Sequence, residues 1–129
     1  MRPSTRAERA ASEAHLDRVA YLRNSGQFVL IEGDVFNVEL QQQALQGVDT
    51  VFHLAAAHLT VSSGESEFWR VNVDGVRSLI ESSRKAGIRR FVHCSSVGVY
   101  GRVLNPPANE ESPCYPEIPY EKTKLAGEK

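Results

Sequence analysis

Cysteine is scarce: Cys94 and Cys114 are the only two in the chain, too few for a disulfide framework. No apolar run approaches the roughly 18 residues a membrane span needs, so no membrane association is expected. Basic excess is also missing. Fifteen Lys and Arg against sixteen Asp and Glu leave a formal net charge of −1 and a pI near 6.4, which argues against the basic footprint of a general nucleic-acid binder. The start, Met1 to Ala14, lacks the apolar stretch of a secretory signal, and Glu8 and Glu13 weigh against an organelle transit segment. His53, His58, His93, Cys94 and Cys114 show no Cys-x-x-Cys or His-x-x-x-His spacing. No metal site is expected from them, and His53 and His93 read as packed strand residues. These absences point to a reduced, cytoplasmic protein without internal repeats or low-complexity tracts.

What is present is the material of one α/β domain spanning 1–129: 129 residues, 41% of them hydrophobic, enough to bury a core. Residues 5–24 have helix-forming composition, with Gly26 placed as a C-terminal glycine. Phe28–Ile31 is a short β-branched run that reads as a first strand. Residues 38–46 read as a helix closed by Gly47, and Asp49–Ala56 as a second strand, with Thr50–Leu54 its ladder part. A long helix is expected from Glu65 to Ala86, with Phe68, Val71, Val76, Leu79 and Ile80 near one face and Gly87 at its end. Arg90–Ser95 is a third strand, with Phe91–Cys94 its ladder part. Five prolines between 97 and 119 predict an irregular loop, and Pro119 suits the first turn of a last helix over 119–128. Trp69 reads as core or interface, and Arg89-Arg90 as a solvated strand entry or a charge complement to the preceding helix C-terminus. Strands alternating with helices at this spacing predict right-handed crossovers and a parallel sheet, and uniformly apolar strands predict a sheet covered on both faces.

Parallel α/β sheets bind ligands beyond the carboxyl ends of their strands. Small or polar residues follow each predicted strand: Gly33-Asp34-Val35, Leu54-Ala55-Ala56, and Ser95-Ser96. Tyr120 and Lys124 are four apart on the last predicted helix and so share a face. Tyrosine is a poor base at its ordinary pKa of about 10, and a cation on the same face favours the phenolate. By itself the pair is also what a solvated surface helix carries.

Five segments, taken in order, resemble the extended short-chain dehydrogenase/reductase family, the branch that includes NAD-dependent epimerases and dehydratases. They are Gly33-Asp34-Val35, Val51-Phe52-His53-Leu54-Ala55-Ala56, Asn72-Val73-Asp74-Gly75, the run from Phe91 to Gly101, and Tyr120-Glu121-Lys122-Thr123-Lys124 followed by Glu128. The resemblance implies a three-layer Rossmann-like parallel sheet, incomplete here, with strands three to five of the family and their flanking helices. It implies Tyr120 as general acid/base on a substrate hydroxyl or carbonyl, and Lys124 as the cation that supports it and holds the nicotinamide ribose. Ser96, rather than its neighbour Ser95, is implied as the hydrogen-bond partner of the same substrate oxygen, and Asn72 as a brace of the long helix. Asp34 and Val35 fall where the family contacts adenine, and Leu54, Ala55 and Ala56 beside the cofactor ribose. The implied cofactor is NAD or NADP and the implied substrate a small molecule such as a nucleotide sugar.

One family feature is absent from the 129 residues: the first strand with its Gly-x-x-Gly-x-x-Gly turn, which brings backbone close to the pyrophosphate at a helix N-terminus. The chain is therefore expected to be a partial NAD(P)-binding domain, the middle of a larger enzyme, poor at holding the cofactor alone and prone to self-association through open sheet edges. The first strand is expected either to pair with the second or to leave a gap beside it. The competing reading is a non-catalytic remnant or interaction module with the same pattern. Another nucleotide-binding α/β protein, such as a methyltransferase, would leave the Tyr-Lys-Ser set without a purpose.

Overall fold

The computed structural model describes residues 29–57 and 64–129. The helix expected over 5–24, and His58, lie outside the described residues. By contact density the chain divides into two compact units, 1–32 and 33–129. Only 29–32 are described in the first unit, and everything below belongs to the second unless stated.

The second unit opens on helix α1 (Val38–Ala44), whose N-cap Asn37 accepts the Leu40 amide through Oδ1 at 3.1 Å. Strand β1 (Thr50–His53) follows. A continuous helical run then covers 65–85 in three parts: α2 (Glu65–Trp69), a π turn (Arg70–Asp74) and α3 (Gly75–Lys85). Strand β2 (Arg90–His93) leads into a 3₁₀ turn (Val97–Tyr100), and helix α4 (Pro119–Gly127) closes the chain. Gly47 and Gly87, just past α1 and α3, take φ of +70° and +74°, the left-handed stop that only glycine adopts without strain.

β1 and β2 run parallel, as expected, with Thr50 opposite Arg90 through His53 opposite His93. Of the expected first strand, Phe28 lies outside the described residues and the rest forms no strand. Val29, Leu30 and Ile31 have no strand geometry, and Val29 is 84% exposed. Branched side chains favour a pleated surface only when a neighbouring ladder gives them one to pack on, so the run was a valid sign of β propensity and an insufficient one of a strand.

The sheet has one covered and one open face. Side chains alternate along each strand, so Val51, His53, Phe91 and His93 share the covered face, where His53 is buried. Phe52, 68% exposed, and Val92 opposite it stand on the other face, with Leu54 exposed just beyond. Among the described residues, then, the sheet is covered on one side, two of the three layers that uniformly apolar strands predict.

The long helix departs from the expected face in a second way. Ile80 is exposed, whereas Phe68, Asn72, Gly75, Val76, Ser82 and Ser83 are buried. The π turn adds a residue to one turn, which rotates the downstream face. Ser82 is held by a hydrogen-bonded contact: Gln41 of α1 donates to the Val35 carbonyl and to Ser78 Oγ (3.1 Å) and accepts from Ser82 Oγ (2.5 Å), while the buried Ser83 hydroxyl has no partner among the described residues. Trp69 is not in the core, being 42% exposed. Arg89 and Arg90 are exposed, with Arg89 in a loose surface pair with Asp49 at 3.7 Å.

Candidate active site

Helix α4 starts where Pro119 fixes φ at the first helical position. The Glu121 carboxylate accepts the backbone N–H groups of Glu117 (2.9 Å) and Ile118 (3.3 Å), which would otherwise be unpaired donors at the helix start. Tyr120, Lys124 and Glu128 follow at four-residue steps along one side. The helix lies against the π turn closely enough that a Cβ on Gly127 would stand 2.6 Å from the Asn72 carbonyl oxygen, so glycine is needed for this approach.

Asn72 is the hub of the contact. Only 1% exposed, it accepts the Ala57 N–H at 2.8 Å through Oδ1, and its Nδ2 donates to the Ala57 carbonyl (3.3 Å) and to Thr123 Oγ1 (3.1 Å). Thr123, fully buried, donates in turn to the Tyr120 carbonyl at 2.9 Å. One amide side chain thus ties the chain leaving β1 to the helix that carries Tyr120 and Lys124. Asn72 lies within the π turn, on its buried side.

Lys124 is 3% exposed and its Nζ donates to the Cys94 carbonyl at 2.5 Å, just past the end of β2. Burial pushes the ammonium below its ordinary value, opposed by charge at Cys94 and Glu128. His53 and His93 stack at 5.6 Å on the covered face nearby. Burial lowers the pKa of both, His53 further through His93 and Lys124, His93 further through Lys124 and against the pull of Glu128. His53 Nε2 and both nitrogens of His93 are buried without a hydrogen-bond partner among the described residues. The imidazoles are therefore neutral neighbours of the lysine.

Ser96 caps the 3₁₀ turn, accepting the Gly98 N–H at 3.2 Å. Gly98 lies against the first turn of α4, since a Cβ there would stand 2.9 Å from Glu121 Cγ. Ser95 instead donates its hydroxyl hydrogen to the Glu128 carboxylate. Tyr120 packs its ring edge-on to Phe68 of α2, with centroids 6.4 Å apart. A cleft of about 490 Å³ is lined by Ser95, Ser96, Tyr100, Glu110, Cys114 and Glu128 among others, and by neither Tyr120 nor Lys124.

The remaining expected positions have the following local surroundings. Leu54, Ala55 and Ala56 are exposed as the chain leaves β1 and passes into the Asn72 clamp at Ala57. Asp34 accepts the Phe36 N–H at 3.0 Å in the tight turn before α1, and Val35 Cγ1 would stand 3.4 Å from a Cβ on Gly75 at the start of α3. Among the described residues no cluster of three or more His, Cys, Asp or Glu is arranged to hold a metal, and no helix is long and apolar enough to cross a membrane. Thr123, the Cys94 carbonyl and Glu128 were not among the expected site residues. The one local hint was a threonine inside a helix, where its hydroxyl commonly returns to a carbonyl of the preceding turn.

Adjacent parallel strands joined through a long helix, with a buried lysine at their carboxyl ends, define a Rossmann-like α/β protein. Solved structures agree: a dTDP-glucose 4,6-dehydratase of Streptomyces venezuelae with NAD bound superposes with a TM-score of 0.79 at 32% identity, over 86% of this chain and 35% of that one. The model of the NAD dependent epimerase/dehydratase family matches residues 2–129, and the chain belongs to that family. It is 34% identical to the dTDP-glucose 4,6-dehydratase of Streptomyces niveus over 88% of this chain and 34% of that one. It is 33% identical to the UDP-glucose 4-epimerase of Mycolicibacterium smegmatis over 91% of this chain and 39% of that one. The chain thus spans a little over a third of the length of these relatives.

Proposed function

We propose that residues 1–129 form a partial NAD(P)-binding domain carrying the proton-transfer half of an NAD-dependent epimerase or dehydratase site acting on a nucleotide sugar. The observation that carries this reading is Lys124: a cation buried at the carboxyl end of the sheet, one helical turn from Tyr120, on a helix anchored by Asn72 through Thr123. Burying a charge is costly unless it is paired or hydrogen-bonded, and its place beside the strand ends is where α/β folds bind ligands.

The residues present fit the nicotinamide and adenosine ends of a dinucleotide. Lys124 would hold the nicotinamide ribose and supply positive charge beside the Tyr120 phenol. Exposed Leu54, Ala55 and Ala56 offer small side chains and accessible backbone for close approach beside the ribose. Asp34 and Val35 would meet the adenosine end. The nicotinamide, when bound, accepts or returns a hydride. The protein's own task is the proton: Tyr120 takes it from a substrate hydroxyl or gives it back to a carbonyl. Ser96 orients that oxygen, since its hydroxyl hydrogen has no acceptor among the described residues whereas that of Ser95 is given to Glu128.

The sequence holds no Gly-x-x-Gly-x-x-Gly turn for the pyrophosphate, so the 129 residues alone should bind NAD or NADP weakly and show no turnover. Titration of ¹⁵N-labelled chain with NAD and NADP tests this. The expected result is weak binding with shifts confined to Asp34, Leu54–Ala56, Ser96 and Lys124. Shifts elsewhere, or none at millimolar cofactor, would refute the site. Micromolar affinity would show that the glycine turn is dispensable.

A further inference from the structure

Two successive residues leaving β2 are each gripped by α4. Cys94 offers its carbonyl to Lys124, and Ser95 gives its hydroxyl hydrogen to Glu128. Lys124 and Glu128 are one helical turn apart on the side that also carries Tyr120. A single contact would leave the helix free to turn about its axis or to slide along the strand exit. Two contacts to neighbouring residues of an extended segment, spaced about 6 Å along the helix, remove both freedoms.

We propose that Glu128 is a positioning residue of this site: through Ser95 it fixes the end of α4 on the strand exit and so sets where the Lys124 ammonium stands. The inference rests on the reading of Lys124 as the cation of the site. The surroundings of Lys124 give Glu128 that weight. From β1 it faces His53 and from β2 His93, both neutral. Cys94, just past β2, contributes its carbonyl and a charge that favours the ammonium, and α4 contributes Tyr120 and, as its C-cap, Glu128. Of these, Glu128 is the carboxylate, and it acts on both Lys124 and His93 against the effect of burial. The arrangement also gives the adjacent serines separate work. Both serines line the cleft, but the Ser95 hydroxyl hydrogen is committed to Glu128, whereas that of Ser96 has no acceptor among the described residues.

The test uses the whole 129-residue chain and needs neither cofactor nor activity. Carbon-detected NMR follows the titration of Lys124 in the parent chain and in Glu128→Gln, Glu128→Asp, Ser95→Ala and the Glu128→Gln/Ser95→Ala double variant. Glu128→Gln should shift the Lys124 midpoint downward and move the amide signals of Cys94 and Ser96. Ser95→Ala keeps both charges on a part-exposed residue and should move the same amides. Glu128→Asp, one methylene shorter, should resemble Ser95→Ala more than Glu128→Gln. In the double variant the effect of Ser95→Ala should vanish. An unchanged Lys124 midpoint in Glu128→Gln, or a Ser95→Ala effect that persists undiminished without the carboxylate, would overturn the proposal. Because cofactor is absent, failure here and failure of the NAD titration are separate results.

Discussion

Replacing Asn72 with alanine should be among the most damaging single changes in the described part of the chain. The side chain is 1% exposed and makes three hydrogen bonds, two to Ala57 and one to Thr123. Removing it leaves the buried Ala57 N–H with no acceptor, a loss of about 1–3 kcal/mol. The space left by the carboxamide adds about 1 kcal/mol if the π turn and α4 do not close on it. The expected total is about 2–4 kcal/mol, a large part of a native margin of about 5–15 kcal/mol. Thr123→Val, nearly equal in shape, removes the acceptor for Asn72 and the donor to the Tyr120 carbonyl and should cost about 1–2 kcal/mol. Urea unfolding followed by far-UV circular dichroism and by the single tryptophan, Trp69, measures both. Because the variants share one bond, the double variant should lose less than the sum, by about 0.5–1.5 kcal/mol. A cost below about 1 kcal/mol for Asn72→Ala, or strict additivity, would show that the hub does not hold α4 to the rest of the unit.

Two further outcomes follow from the structure. The native chain keeps His53 and His93 neutral, with pKa values below the ordinary 6.5, while the unfolded chain protonates them near that value. The unfolded state therefore binds more protons once the pH drops below about 6.5, and stability should fall as pH is lowered toward 5, by at most about 1.4 kcal/mol per pH unit for each histidine. Urea midpoints across this range should drop in the parent and less in His53→Phe, and equal slopes would refute the role of the pair. The open face carrying Phe52, Leu54 and Val92, next to strand edges unpaired among the described residues, should bring copies of the chain together. Sedimentation should show concentration-dependent dimers weakened by Phe52→Lys, and a monomer at high micromolar concentration would refute the expectation.

The sequence alone determined the local order and the chemistry-bearing positions. Pro119 and the four-residue step from Tyr120 to Lys124 place a helix start and a shared face without reference to anything distant. Gly47 and Gly87 end their helices because only glycine turns left-handed there at little cost. The parallel pairing of 50–53 with 90–93 was legible because a long helix between two apolar runs leaves few other connections. Tertiary structure decided what depends on a partner far along the chain. Val29–Ile31 has the composition of a strand, and composition cannot supply the ladder a strand requires. The π turn at Arg70–Asp74 arises where Asn72 must reach Ala57 and, 51 residues on, Thr123. That Ser95 rather than Ser96 is committed to Glu128, and that His53 and His93 meet face to face beside Lys124, follows from how α4 lies on the strand ends. Periodicity fixes which residues share a face, and only packing fixes what that face meets.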